Sequence, residues 1–174
     1  DAALLLPDYG VVKSVSDAAP LAQAKQAWQA AGRDPRKLYT VYRHFDLEPA
    51  PIGTWPENLM HWRRMFARFV DRTYLERYAT WVDFVLDCNE YSAASTWTDP
   101  VDKARVLNSM RAGAWVWNNE YRGREVHSLD GGVGRIPDWC KFVLMCGPVN
   151  NAFPVDVFDI ARDNDCPISY HAYT

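Results

Sequence analysis

The chain has 174 residues, of which 48% are hydrophobic and 24% charged, ordinary values for one globular domain with its own core. The formal net charge is −3, so no overall positive field favours nucleic acid or an anionic membrane surface as a partner. No apolar run approaches the roughly 20 residues that a membrane-spanning helix needs, and residues 1–7 lack the basic start of a signal peptide.

Five short apolar runs predict buried strands. The runs are near-continuous rather than alternating, which is typical of parallel strands that are covered on both faces. They are Val11–Val15, Leu38–His44, Val82–Cys88, Lys141–Cys146 and Ile168–Tyr173.

Helical patterns separate these strands. The first helix, Ala19–Ala31, follows Asp17 as a possible cap and ends before Gly32. The others are Pro56–Ala79, a helix that begins after Thr98-Asp99-Pro100, and Pro154–Asn164. The second helix carries a row of arginines that we interpret as a solvated face: Arg63, Arg64, Arg68, Arg72 and Arg77. A long loop, Gly123–Trp139, precedes the fourth strand, and we find no hairpin signal in the chain.

Alternation of strands and helices predicts βαβ units and a parallel sheet. No GxGxxG or GxxxxGK[ST] motif follows a strand, so a nucleotide-binding fold lacks its usual support. We therefore expect residues 1–174 to form a single, incomplete domain of the (β/α)8 TIM-barrel type with about five parallel strands. A complete barrel has eight strands and typically about 250 residues, so the remaining strands are expected from the rest of a longer polypeptide. This hypothesis predicts an open sheet edge at Val11–Val15, at Ile168–Tyr173, or at both.

The cysteines do not indicate a metal site. No CxxC pair occurs, and no histidine lies at zinc-ligand spacing, so we expect reduced, buried thiols and neither metal nor cofactor. The four residues are Cys88, Cys140, Cys146 and Cys166. Aromatic residues are numerous, with eight Trp, nine Tyr and seven Phe. Trp55, Trp97 and Trp139 either anchor loops to the core or offer flat faces to a sugar.

Polar residues end four of the predicted strands, where the reactive groups of parallel barrels lie. The third run leads into Asn89-Glu90, which pairs a carboxylic acid with an amide that can bind a substrate hydroxyl. The other polar ends contain His44, Asn150, His171 and Tyr173. Each has a plainer interpretation: an Asn-Glu dipeptide occurs by chance, and the histidines also suit a core in which they bind backbone groups.

Asn89-Glu90, followed two strands later by Tyr170-His171-Ala172-Tyr173, resembles the retaining glycoside hydrolases of the large TIM-barrel clan that carry Asn-Glu after the fourth strand. The segment Gly147–Tyr173 is similar to glycosidase-like barrel domains of bacterial and phage-type proteins, and Gly10–Val15 fits their second strand. The resemblance implies that the five strands are the second to the sixth of the barrel.

The resemblance also implies roles for individual residues. Glu90 would be the general acid/base and Asn89 would contact the sugar 2-hydroxyl, while the family's nucleophile, a Glu after the seventh strand, would lie beyond Thr174. The candidate residues for binding the carbohydrate substrate are Asn89, His44, Asn150, His171, Tyr173 and Trp97.

Two other functions remain open. A barrel can keep its scaffold and lose its chemistry, which would leave a non-catalytic carbohydrate-binding or structural domain. A metal-dependent hydrolase would use His44, Asp46 and His171, but no His-x-His or comparable ligand cluster supports it.

Overall fold

The computed structural model of the chain describes residues 9–15, 19–43, 54–70, 82–86, 98–127, 129, 131–146 and 155–170. The strands in this part of the chain are β1 (Gly10–Val15), β2 (Leu38–Arg43), β3 (Phe84–Leu86), β4 (Glu125–His127), β5 (Val133–Arg135), β6 (Lys141–Cys146) and β7 (Ile168–Tyr170). The helices are α1 (Ala19–Ala30), α2 (Trp55–Phe69), α3 (Pro100–Val116) and α4 (Val155–Asp163). A π-helical turn, Trp117–Tyr121, extends α3.

Five of the strands form one curled, all-parallel sheet with the shape of a half-barrel. Their order across the sheet is β1-β2-β3-β6-β7, which is also their order along the chain. The parallel sheet predicted from the sequence is thereby confirmed. Among the described strands, β1 pairs with β2 alone and β7 pairs with β6 alone.

Local sequence signals fix where the helices begin and end. The carboxylate of Asp99 accepts hydrogen bonds from the backbone N–H groups of Val101 (2.8 Å) and Asp102 (3.0 Å), which caps α3. The Glu57 carboxylate accepts a bond from the backbone N–H of Thr54 (3.3 Å) at the start of α2. Gly32, with φ of +73°, follows the end of α1, a conformation that side chains with a Cβ rarely adopt.

The segment expected to be a long loop before β6 contains a hairpin instead, so that prediction was wrong. β4 and β5 pair antiparallel, with Val126 opposite Gly134, and Val126 is buried while its neighbours in β4 are exposed. Gly131, with φ of +86°, lies in the connection between the two strands. Strands of three residues are too short for their alternation to stand out in a sequence.

The described helices cover one face of the parallel sheet. Trp62 of α2 is 1% exposed, and its ring meets Phe142 of β6 at a centroid distance of 5.2 Å. Its indole N–H donates to the backbone oxygen of Ser109 in α3 at 2.8 Å. Gly113 of α3 is needed at this contact, because a Cβ there would lie 2.7 Å from the Trp62 ring. Phe66, Trp117 and Phe142 extend the same aromatic core.

A buried ion pair joins α1 to the sheet on this helix-covered face. The ammonium of Lys25, a residue that is 7% exposed, lies 2.7 Å from Oδ2 of Asp83, the residue before β3. The same oxygen accepts bonds from the backbone N–H and the hydroxyl of Thr40, both at 2.9 Å. The carboxylate therefore satisfies three donors and ties α1, β2 and β3 together.

The arginines of α2 divide into two groups. Arg64 and Arg68 are exposed, as the sequence predicts, whereas Arg63 forms a two-bond ion pair with Glu120 of the π-helical turn. Arg72 and Arg77 lie outside the described residues.

Two of the cysteines, Cys140 and Cys166, are buried thiols that form no disulfide, as expected, and burial raises the pKa of the Cys140 thiol. The thiol of Cys140 is therefore protonated and unreactive at neutral pH. In the part of the chain that the structure describes, no helix has both the length and the apolar character required to span a bilayer.

Candidate functional site

The described strands of the parallel sheet end along one edge, which we call the carboxyl edge. Its residues are Val15, Arg43, Leu86, Cys146 and Tyr170, the last residues of β1, β2, β3, β6 and β7. Val15, Arg43 and Leu86 are aligned across the first three strands. β6 continues three residues further in this direction, because Leu86 pairs with Val143 and β6 ends at Cys146. The edge is thus staggered.

All seven predicted site residues lie outside the described residues, so their predicted roles are untested. Their positions in the chain are nevertheless tied to the carboxyl edge: His44 directly follows Arg43, and His171 directly follows Tyr170. Asn89 and Glu90 come after β3, and Asn150 comes after β6. The remaining two are Tyr173 and Trp97.

The face of the sheet opposite the helices, here called the open face, borders this edge. Side chains alternate along each strand, so the open face carries Val11, Lys13, Tyr39, Val41, Arg43, Phe84, Lys141, Val143 and Ser169. The sequence predicted cover on both faces, but Val11 is 48% exposed and Tyr39 is 39% exposed. An apolar run in the sequence shows that a strand can be buried on both faces, but it does not show which residues cover the second face. The prediction of burial on both faces therefore failed at Val11 and Tyr39.

A cavity of about 250 Å³ lies on the open face. Its lining is mostly aliphatic and aromatic, with one ammonium and one hydroxyl, and includes Val11, Lys13, Val41, Phe84, Val143 and Ser169. Such a surface can pack against the apolar side of a small ring, and its few polar groups can orient that ring.

Arg43 is a candidate binding residue that the sequence reasoning did not select. It ends β2, shares the open face with Val41, and keeps a buried Nε that has no hydrogen-bond partner in the structure. Its signal in the sequence is a cation near the end of an apolar run, directly before His44.

Two of the tryptophans considered for stacking on a sugar, Trp55 and Trp139, lie at opposite edges of the parallel sheet. Trp55 is the first residue of α2 and is 43% exposed. Because α2 follows β2, this tryptophan lies on the carboxyl side of the sheet and stays a candidate. Trp139 comes directly before β6, at the opposite edge, and this position removes it from any site at the carboxyl edge.

Two polar side chains on α2 also have buried atoms without a hydrogen-bond partner. Asn58 is fully buried, and neither its side-chain nitrogen nor its oxygen has a partner. Nε2 of His61, one turn later, is also buried and unpartnered. Burial, together with the charges of Arg64 and Arg68, lowers the pKa of His61, so its imidazole is neutral at pH 7.

No group of three or more His, Cys, Asp or Glu residues that could hold a metal ion occurs within the described ranges. The residues of the metal-hydrolase hypothesis, His44, Asp46 and His171, lie outside those ranges.

Comparison with known proteins adds no relative: no family model matches the chain, and no curated protein or solved structure matches it either.

Proposed function

We propose that this chain is part of a retaining glycoside hydrolase, in which Glu90 is the general acid/base and Asn89 binds the sugar next to the scissile bond. In the first step a second carboxylate, expected from the longer polypeptide, would bond to the anomeric carbon while protonated Glu90 gives its proton to the leaving glycosidic oxygen. In the second step water would displace that carboxylate from the anomeric carbon, and the ionised Glu90 would take the proton of the water.

One observation carries this proposal: five parallel strands, arranged in chain order, end at one edge, and the candidate residues follow four of those ends. Parallel barrels carry their chemistry at this edge, because the loops after the strands converge there. The support is topological, and it agrees with the resemblance of Asn89-Glu90 to the dipeptide of the glycosidase clan.

We further propose that three more strands of a longer polypeptide close this sheet into an eight-stranded barrel. Two features favour this arrangement over an open sheet. Each outer strand, β1 and β7, has one neighbour among the described strands, and a closed barrel would give each of them a second neighbour. The open face also presents apolar side chains, such as Val11 and Tyr39, that a closed barrel would bury.

Hydrogen exchange tests the closure. In the 174-residue chain, the outward amides of β1 and β7 should exchange much faster than those of β3. In the product of the complete reading frame, β1 and β7 should gain protection. Equal exchange in the two proteins would contradict a closed barrel.

The catalytic role is tested by Glu90→Gln in the product of the complete reading frame. Turnover of aryl glycosides with poor leaving groups should fall by roughly 10²–10⁴, because the general acid is lost. With leaving groups that need no proton, the first chemical step should fall much less. Glu125→Gln, at an exposed position of the β4–β5 hairpin that precedes β6, is a matched control and should be active.

Two outcomes would contradict the proposal. Equal turnover of wild type and Glu90→Gln on both kinds of substrate would remove Glu90 from the mechanism. A wild-type protein that binds sugars but hydrolyses no glycoside would be a non-catalytic carbohydrate-binding barrel.

A further inference from the structure

A second cavity, which we call the α1 groove, lies between α1 and the amino-terminal half of β1. Its volume is about 310 Å³. Apart from Arg33, the lining that the structure describes is apolar, and it includes Gly10, Val12, Ala27, Trp28, Ala31 and Leu38. A sugar or a nucleotide needs several polar groups to orient it, so this lining suits aliphatic side chains better than either ligand.

The contacts of Trp28 hold the wall of the α1 groove in place. Its indole N–H donates a hydrogen bond to the backbone oxygen of Asp34 at 2.9 Å. The guanidinium carbon of Arg33 lies 4.5 Å from the centroid of the Trp28 ring, which is a cation–π contact. A Cβ on Gly10 would lie 2.8 Å from Cδ1 of Leu38 and 3.2 Å from the Trp28 ring, so the glycine lets these side chains approach β1 closely.

Part of the apolar surface of the α1 groove is in contact with water. Ala27 and Ala31 are exposed, and Trp28 is half-buried. Because the removal of apolar surface from water is favourable, a segment that covers these positions would stabilise the fold.

The chain places an apolar segment within reach of the α1 groove. Residues 1–8, which lie outside the described residues, read Asp-Ala-Ala-Leu-Leu-Leu-Pro-Asp and lead directly to Tyr9 and β1. Gly10, the first residue of β1, itself lines the groove. Leu6 precedes Gly10 by four residues, so their Cα atoms are at most about 14 Å apart. The three consecutive leucines can therefore reach the groove.

The charges of the groove and of this segment are opposite. Arg33 lines the groove, and Nζ of Lys37 lies 5.3 Å from the centroid of the Tyr9 ring. Asp8 directly precedes Tyr9, and Asp1 lies at the other end of the apolar stretch. The segment contains these two carboxylates and no lysine or arginine, so attraction to the two cations supports the same placement.

We propose that the leucines at positions 4–6 pack into the α1 groove, so that the segment before β1 covers this flank of α1. In a longer polypeptide, the same contact would set where the chain before Asp1 approaches the barrel. The inference does not depend on the proposed glycosidase function. It assigns the groove to the amino-terminal segment of this chain, and a second copy of the chain is the other occupant that the experiment distinguishes.

Thiol labelling of the 174-residue chain tests the placement. Ala27→Cys puts a thiol at the groove, and its reaction with N-ethylmaleimide is followed by peptide mass spectrometry, which separates it from the four native cysteines. This thiol should react roughly tenfold more slowly than that of Gln26→Cys, because a covered site reacts only when the cover opens. Replacement of Leu4, Leu5 and Leu6 by serine should raise the rate at position 27 by roughly tenfold and leave position 26 unchanged.

Gln26→Cys is the matched control, because position 26 is exposed and lies on the far side of α1 from the groove. Circular dichroism and the urea midpoint establish that each variant is folded. If the triple serine variant does not fold, NMR of the wild type decides. Methyl groups of the three leucines should then give nuclear Overhauser effects to the indole protons of Trp28.

Three results would overturn the inference. The first is equal labelling at positions 26 and 27 in the chain with intact leucines. The second is protection of position 27 that rises with protein concentration and persists in the triple serine variant, which would assign the groove to a second copy of the chain. The third is a wild-type spectrum without any contact between these leucines and Trp28.

Discussion

The two faces of the parallel sheet are built from the same strands but differ in what covers them. On the helix-covered face, Tyr42, Val85, Phe142 and Leu144 are at most 2% exposed. On this face the carboxylate of Asp83 forms an ion pair with Lys25 and accepts a hydrogen bond from Thr40. On the open face, Val11 is 48% exposed, and the guanidinium of Arg43 lacks a carboxylate among the described residues.

This difference separates stability from binding. The helix-covered face already has its large apolar side chains removed from water and its Asp83 carboxylate paired, so substitutions there should act on folding. The open face keeps part of its apolar surface in water, as at Val11 and Tyr39, so substitutions at such positions should matter little for the fold of this chain and more for whatever covers them. Four expectations follow from this division, from the largest effect to the smallest.

Trp62→Ala on the helix-covered face should lower the free energy of unfolding by about 3–5 kcal/mol, because it removes a fully buried ring and its bond to Ser109. Urea denaturation measures the change. Trp115→Ala in α3 is the control: this ring is 39% exposed, and its loss should cost far less. Equal losses in the two variants would place the core elsewhere.

Asp83→Asn should cost about 3 kcal/mol, since it leaves the ammonium of Lys25 buried without its counter-charge. The side-chain amide oxygen of this variant can still accept the hydrogen bonds from Thr40. The change in the free energy of unfolding therefore reports mainly the loss of the negative charge. Adding Lys25→Met to Asp83→Asn should restore much of the stability, measured again by urea denaturation. A double variant less stable than the single one would show that the lysine contributes through packing.

The ion pair of Arg63 with Glu120 should make stability depend on pH in the acid range. The Arg63 guanidinium lowers the pKa of Glu120 below its usual 4.5, so the pair contributes fully above that value. Its contribution, under about 1 kcal/mol, is lost as pH falls through the lowered pKa of the folded state. The urea midpoint of wild type should therefore fall more between pH 5 and pH 3 than that of Arg63→Gln, with Arg124→Gln, at an exposed position, behaving like wild type.

Val11→Ser on the open face should change the stability of the 174-residue chain by about 0.5 kcal/mol or less, because the valine is already half in water. Val85→Ser, on the covered face of β3, should cost about 2 kcal/mol or more. In the product of the complete reading frame, the cost of Val11→Ser should rise toward that of Val85→Ser if further strands close the barrel.

The sequence was most informative where apolar runs have polar flanks. Lys141–Cys146 is a strand with the predicted bounds, and Leu38–His44 is described as a strand to Arg43. The capped start of α3 at Asp99 and the end of α1 before Gly32 were also predictable, because both depend on local backbone chemistry. Parallel pairing in chain order then followed from the alternation of strands and helices.

Features that depend on distant contacts were not predictable. The hairpin of β4 and β5 has one buried side chain, Val126, between two exposed ones, and this pattern is too short to stand out. The buried, unpartnered Nε of Arg43 appears only in three dimensions, because it depends on how the side chain packs against its surroundings. The predicted residues Asn89, Glu90 and His171 lie outside the described residues, so the catalytic prediction stands on sequence and topology.

The order of the five strands also bears on how the chain folds. Each strand after β1 pairs with the strand that comes before it in the sheet order, and that strand is also earlier in the chain. The five strands can therefore pair in the order in which they are synthesised. Loop closure for such neighbouring units costs little entropy compared with joining distant ends. The sheet can therefore form by sequential addition of βα units, starting from β1, while the chain is synthesised on the ribosome.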